Sequence, residues 1–333
     1  MRIGVLTSGG DCPGLDAAIR AVARRLSGEY DFDVLGIKNG FKGLVEGDIE
    51  PLNRYSVSGI LPKGGTILGT SRRTVEELRP DLPVIQGNIK RHEIDAIIVI
   101  GSVDEVAVSS MLFENGINTV CIPATIDNNI YGTERTFGFD TAVSIATDAI
   151  DRLHSTADSH NRVMVVELMG GSCGWIATMA GLAGGADCIL IPEVDFSLQE
   201  VAELIKKRHL QKSFSIIVAA EGIKEMLSQT EKQLARSRFV ADHIADYLEQ
   251  KTGMEARTII LGHVQRGGSP TSYDRILATR YGVKAADMVA EKKFGSMAAL
   301  KGTDIVDIPT IEVAGKVRRV DAGLYDLASV FFG

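Results

Sequence analysis

Thr125 and Asp127 stand two residues apart, so on an extended segment a hydroxyl and a carboxylate face the same way, toward one bound substrate. A carboxylate so placed can accept a proton from a substrate hydroxyl; taken alone, Thr-Ile-Asp reads as an exposed loop acid. A second candidate is the string Thr7-Ser8-Gly9-Gly10-Asp11-Cys12-Pro13-Gly14, between a short apolar run and a segment of helical period. Glycines at such a junction leave backbone N–H groups pointing at a vacant position that suits a phosphate. The spacing is not G-x-G-x-x-G, because Asp11 falls where the second glycine belongs, and G-x-x-x-x-G-K-[ST] occurs nowhere in the chain. A tight turn with no ligand fits the same residues. Cys12, Cys121, Cys173 and Cys188 lie far apart with no C-x-x-C pair, so they signal neither a zinc site nor a disulfide framework.

Short apolar runs rich in Val and Ile supply the elements that must position these residues: Ile3–Leu6, Asp95–Ile100, Asn118–Ile122, Arg162–Leu168, Cys188–Ile191, Ser215–Ala219 and Thr258–Leu261. Runs without in/out alternation are what strands buried on both faces look like. Between them, Leu15–Leu26, Val103–Glu114, Thr141–Thr156, Leu198–His209, Gln229–Glu249 and Asp274–Ala290 read as helices. The fold class is α/β, two Rossmann-like three-layer α/β/α domains with mostly parallel sheets. The expected division is residues 1–140 plus about 255–305 for one domain and 141–254 plus about 306–333 for the other.

Composition narrows the partners. With 36 Lys+Arg against 43 Asp+Glu the net charge is −7, which argues against nucleic acid and against a membrane surface. Glycine, 35 of 333 residues, exceeds the roughly 7% of ordinary chains. Proline is scarce at 9, so the glycines belong to a packed protein with many sharp turns or close approaches. No run approaches the roughly 18 apolar residues of a membrane span, and the expected compartment is the cytoplasm.

Many separate strings, in order, resemble the phosphofructokinase family. They include the first junction, Gly64-Gly65-Thr66-Ile67-Leu68-Gly69-Thr70-Ser71-Arg72, Pro123-Ala124-Thr125-Ile126-Asp127, Gly138-Phe139-Asp140-Thr141-Ala142, Ser159-His160-Asn161-Arg162, Met169-Gly170-Gly171, Ala220-Glu221-Gly222 and Leu261-Gly262-His263-Val264-Gln265-Arg266-Gly267-Gly268. The tail Met297-Ala298-Ala299-Leu300-Lys301-Gly302-Thr303 looks like the branch that mixes ATP- and pyrophosphate-dependent members. The resemblance implies phosphoryl transfer from ATP or pyrophosphate, with Mg²⁺, to the 1-hydroxyl of fructose 6-phosphate. It makes Asp127 the base beside Thr125, and Gly10, Arg72 and Arg73 donor-phosphate ligands. Arg162, Met169, Glu221, Arg257, His263 and Arg266 match the sugar-phosphate ligands. Arg162 and Arg257 would reach across from a neighbouring subunit, which implies a homotetramer; the domain of 1–140 would take the donor and the other the sugar phosphate.

The donor side departs from the pattern. Val103 stands where the family has the acid that holds magnesium, and a one-residue slip would let Asp104 or Glu105 serve instead. Ala124 leaves the donor unnamed, Asn129 replaces an aspartate, Gly171 replaces the arginine beside the transferring phosphoryl group, and Asp16 replaces an asparagine. An arginine of that kind is worth roughly 10³–10⁵ in rate in GTPases. A second function is therefore expected as the alternative: an impaired member that binds sugar phosphate as a sensor or as a regulatory partner of an active homologue. Arg20, Arg24 and Arg54 match the family's effector pocket, but His154, Ser213 and Phe214 fall where further polar or cationic ligands belong, so the response to nucleotide effectors should be weak or altered.

Overall fold

The computed structural model describes residues 1–226 and 239–332. The chain divides into two compact units, Met1–Thr141 with Arg266–Arg318, and Ala142–Gln265 with the residues from Arg319 onward.

The first unit is built on an eight-stranded sheet. Numbered along the chain, its strands are β1 (Arg2–Thr7), β2 (Asp33–Ile37), β3 (Ile49–Pro51), β4 (Ala96–Gly101), β5 (Thr119–Thr125), β6 (Phe137–Gly138), β11 (Ser296–Lys301) and β12 (Asp304–Pro309). The order is β12-β11-β5-β4-β1-β2-β3, with β6 beside β5; only β3 and β12 run antiparallel to their neighbours. The second unit holds a parallel four-stranded sheet in the order β10-β7-β9-β8, from β7 (Val163–Leu168), β8 (Cys188–Leu190), β9 (Ser215–Ala220) and β10 (Ala256–Ile260). Strands β1, β4, β5, β7 and β9 are buried nearly end to end, as unbroken apolar runs demand when helices cover both faces.

The helices are α1 (Leu15–Glu29), α2 (Gly40–Glu46), α3 (Val75–Leu78), α4 (Leu82–Arg91), α5 (Val103–Glu114), α6 (Phe139–His160), α7 (Trp175–Ala183), α8 (Leu198–His209), α9 (Val240–Thr252), α10 (Ser272–Ala290), α11 (Thr310–Val313) and α12 (Ala322–Ser329). Of the helix expected over Gln229–Glu249, residues 229–238 lie outside the described residues; the described part is α9.

Two boundaries differ from the sequence expectation. Strand β10 pairs with β7, Arg257 opposite Met164, so 255–265 belongs to the second unit. Strand β12 folds back on β11 from Ser296–Pro309 to Lys301–Asp304, which keeps 306–318 in the first. Strand pairing, a non-local property, sets both.

Topology locates the first site. Strand β2 was added on one side of β1 and β4 on the other, so the direction of strand addition reverses between β1 and β4. In open α/β sheets the ligand crevice lies outside the carboxyl ends of the strands at that reversal. There the glycine-rich turn after β1 is joined to the end of β4 by Ser8 N–H, which donates to Ile100 O at 3.0 Å.

Candidate active site

At the switch point the loop of residues 64–73 is stitched across the first glycine turn. Gly9 N–H and Ser8 Oγ both donate to Ser71 O, at 3.0 and 2.6 Å, and Thr70 Oγ1 donates to Gly9 O at 2.7 Å. The Gly9 N–H, expected to face a phosphate, is thus already engaged. Gly9 has φ 86°, and a Cβ there would lie 2.5 Å from Glu105 Oε2. A Cβ on Gly10 would lie 2.5 Å from Arg266 Nη1, and that nitrogen donates to Asp11 O at 3.2 Å. Arg266, grouped by resemblance with the sugar-phosphate ligands, therefore lies in the first unit against the donor candidate Gly10.

Asp127 follows β5, but not on an extended segment. The strand stops at Thr125, whose Oγ1 accepts the Asp127 N–H at 3.2 Å, and Asn128 turns the chain with φ 51°. Asn128 Oδ1 accepts from Thr136 N and Thr136 Oγ1 donates to Thr125 O, at 3.0 and 2.7 Å, so β5 and the following loop hold this turn from both sides. The Thr125 hydroxyl is buried and anchors the turn; Asp127 is half-buried. Arg318, which sequence reasoning missed, donates its N–H to Asn129 O at 2.8 Å and its Nη1 to Asn128 O at 3.4 Å.

The acids beside Val103 both have partners within the chain. Glu105 is fully buried: its Oε2 accepts from Ser102 N and Ser102 Oγ at 2.9 and 2.7 Å, capping α5, and burial raises its pKa. Asp104 Oδ2 pairs instead with Arg72 Nη2 at 3.0 Å. Arg73 follows Arg72, half-buried. Among the described residues no group of three His, Cys, Asp or Glu could hold a metal ion. A Mg²⁺ carried by donor phosphates takes only one or two carboxylates, and at the position the resemblance gives to that acid Val103 offers none.

In the second unit Glu221 follows β9, and its Oε1 accepts from Gly170 N and Gly171 N, at 3.2 and 2.9 Å. Gly222 is required by the same close approach, since a Cβ there would meet Gly171 O at 2.3 Å. These residues border a cavity of about 740 Å³ whose charged described lining is Glu167, Glu221, Lys224 and Arg319. Glu167 Oε2 accepts from Ala241 N at 2.9 Å; burial, reinforced by the Glu221 charge, raises its pKa. Met169 precedes the glycine pair, half-buried. Arg162 and Arg257 are brought together elsewhere, both paired with Glu255, Arg162 Nε at 2.9 Å. The Arg162 hydrogen bond, foremost, holds the Glu255 carboxyl below its ordinary range. Neither arginine is in the described lining of the cavity, nor is the exposed His263. Glu167, Lys224 and Arg319 went unread; only the Arg318-Arg319 pair carried a signal.

Of the effector candidates, Arg24 and Arg54 line a cavity of about 290 Å³. Arg20 is not in its described lining. His154 is engaged internally, its Nε2 2.7 Å from Gly184 O and its ring edge-on to Phe214 at 6.1 Å.

A doubly wound first unit with a glycine turn at the switch point, and a second unit with an open, charge-lined cavity, define an α/β protein of two units. The phosphofructokinase family model matches residues 2–289, and the chain belongs to that family. It is 47% identical to the pyrophosphate–fructose 6-phosphate 1-phosphotransferase of Streptomyces coelicolor, over 100% of both chains. It is also 47% identical to ATP-dependent 6-phosphofructokinase 3 of Bacteroides thetaiotaomicron, over 96% of this chain and 95% of that one. The pyrophosphate-dependent phosphofructokinase of Nitrosospira multiformis shares the fold, with TM-score 0.85 at 18% identity over 96% of this chain and 86% of the other.

Proposed function

We propose that the chain transfers a phosphoryl group from ATP or pyrophosphate to the 1-hydroxyl of fructose 6-phosphate. The observation that carries this reading is the turn after β5, which holds Asp127 in place at the carboxyl end of a central strand. In this reading the 1-hydroxyl gives its proton to Asp127 as its oxygen attacks the terminal phosphorus, and the bond to ADP or phosphate breaks. Gly10, Arg72 and Arg73 hold the donor, Glu221 accepts from a sugar hydroxyl, Met169 borders the sugar, and His263 and Arg266 are further contacts to the sugar phosphate. Arg162 and Arg257 serve a neighbouring copy in a homotetramer, a role supported by their pairing on Glu255 rather than in the described lining of their own cavity. Among the described residues no helix is long and apolar enough to cross a membrane, and the four cysteines are reduced and buried, which supports the cytoplasm as the compartment.

A second reading has its own support. Val103 at the metal position and Gly171 in place of an arginine leave the donor side without the acid and the arginine that the family pattern puts there, and Asp104 is paired with Arg72. That favours a member that binds sugar phosphate and regulates an active homologue. A coupled assay with fructose 6-phosphate, run separately with ATP and with pyrophosphate, together with calorimetry of fructose 6-phosphate binding, tests both. Turnover abolished by Asp127→Asn supports transfer; binding without turnover from either donor supports the second reading.

A further inference from the structure

Arg319 is the first residue of the chain's return to the second unit, and the backbone on either side of it is fixed. Arg318 N–H donates to Asn129 O at 2.8 Å. Val320 N–H donates to Glu193 Oε1 at 3.1 Å, and both Glu193 oxygens accept from Gly174 N at the start of α7, at 3.1 and 3.0 Å. The carboxylate of Glu193 thus ties residue 320 to the segment that carries Gly171 and Ser172. The Arg319 side chain, exposed, is left on the wall of the Glu221 cavity. Among the described residues of the second unit, ion pairs engage Arg152, Arg162, Arg208 and Arg257 and leave Arg319 out.

Charge makes this position matter. Without Arg319 the described lining would set two carboxylates, Glu167 and Glu221, against one ammonium, Lys224. Such a wall repels a phosphate dianion. Gly171 supplies no cation, and a guanidinium offers a fork matched to phosphate oxygens.

We propose that Arg319 is a substrate-binding residue whose guanidinium hydrogen-bonds the phosphate of a phosphorylated ketose in this cavity. The assignment rests on the sugar-phosphate reading above. The test is calorimetric titration of fructose 6-phosphate into the wild-type chain, Arg319→Gln and Arg319→Lys, with melting temperatures of the unliganded proteins and steady-state kinetics where turnover exists. Loss of one charge-assisted hydrogen bond should weaken binding about 10- to 100-fold in Arg319→Gln, with partial recovery in Arg319→Lys. KM for the sugar phosphate should rise while KM for the donor and the melting temperature stay unchanged. Arg319→Gln binding within twofold of wild type overturns the assignment. Weakened binding in a chain that turns over neither donor supports the assignment and removes the transfer reading. A wild-type chain that binds no fructose 6-phosphate overturns both.

Discussion

Two glycine pairs, Gly9-Gly10 after β1 and Gly170-Gly171 after β7, sit at the carboxyl ends of buried parallel strands, yet their surroundings differ. Each has a carboxylate beside it. At the first, Glu105 is fully buried and committed to Ser102, the Gly9 N–H is committed to Ser71 O, and Arg72 is committed to Asp104. At the second, Glu221 takes the glycine N–H groups on one oxygen and borders an open cavity with Lys224 and Arg319. The difference teaches that glycine spacing marks where a backbone must turn or approach closely, while the side chains packed against it decide whether the turn is offered to a ligand.

The largest test of that contrast is Asp127→Asn, which should lower turnover with the better donor by about 10²–10⁴ and leave fructose 6-phosphate affinity within twofold, read by coupled assay and calorimetry. Next, Glu221→Gln should weaken fructose 6-phosphate about 10- to 100-fold, because the oxygen that holds Gly170 and Gly171 loses its charge. Equal affinity would remove the open turn from the acceptor role.

Asp16→Asn probes the closed side. Asp16 Oδ1 accepts from Ile67 N at 2.8 Å, in the loop that covers the first turn, and burial raises its pKa from 3.8 to about 6. A folded pKa above the unfolded one means that the folded state holds the proton more tightly. The ionised buried acid therefore costs nothing near pH 3 and lowers stability progressively as pH rises from about 4 through 6. An asparagine keeps the acceptor without the charge. Unfolding free energy at pH 7 should rise by about 1–2 kcal/mol, with no gain near pH 3, as measured by denaturant titration at both pH values. Asp274, also raised to about 6 by burial, should leave a residual dependence of the same sign. The smallest effect belongs to Asp104→Ala: releasing Arg72 from an exposed pair should tighten pyrophosphate binding about two- to fivefold, since such pairs are worth under about 1 kcal/mol.

Much of this was legible in the sequence. All seven apolar runs became strands, because burial on both faces writes itself as an unbroken Val/Ile run. Strands β2, β3, β6, β11 and β12 escaped: β3 and β6 are three and two residues long, Gly36 interrupts the short run of β2, β11 is built largely on alanine, which favours strand weakly, and β12 carries Asp304 and Asp307 on an edge. Helix α7 escaped for the opposite reason, being apolar nearly all round and so without helical period. Glu221 and the turn that holds Asp127 were found by their strings, whereas Arg319 and Glu167 enter the cavity through packing between segments far apart in sequence. The commitments of Asp104 and Glu105 were equally hidden, since two adjacent acids at a helix start look alike until one turns inward and the other meets Arg72.

The most direct measurement is formation of fructose 1,6-bisphosphate from fructose 6-phosphate by the purified wild-type chain and by Asp127→Asn, with ATP and with pyrophosphate in turn. The account predicts product with at least one donor in the wild type and its loss in the variant. Fructose 6-phosphate bound by calorimetry, with no product from either donor, would contradict it.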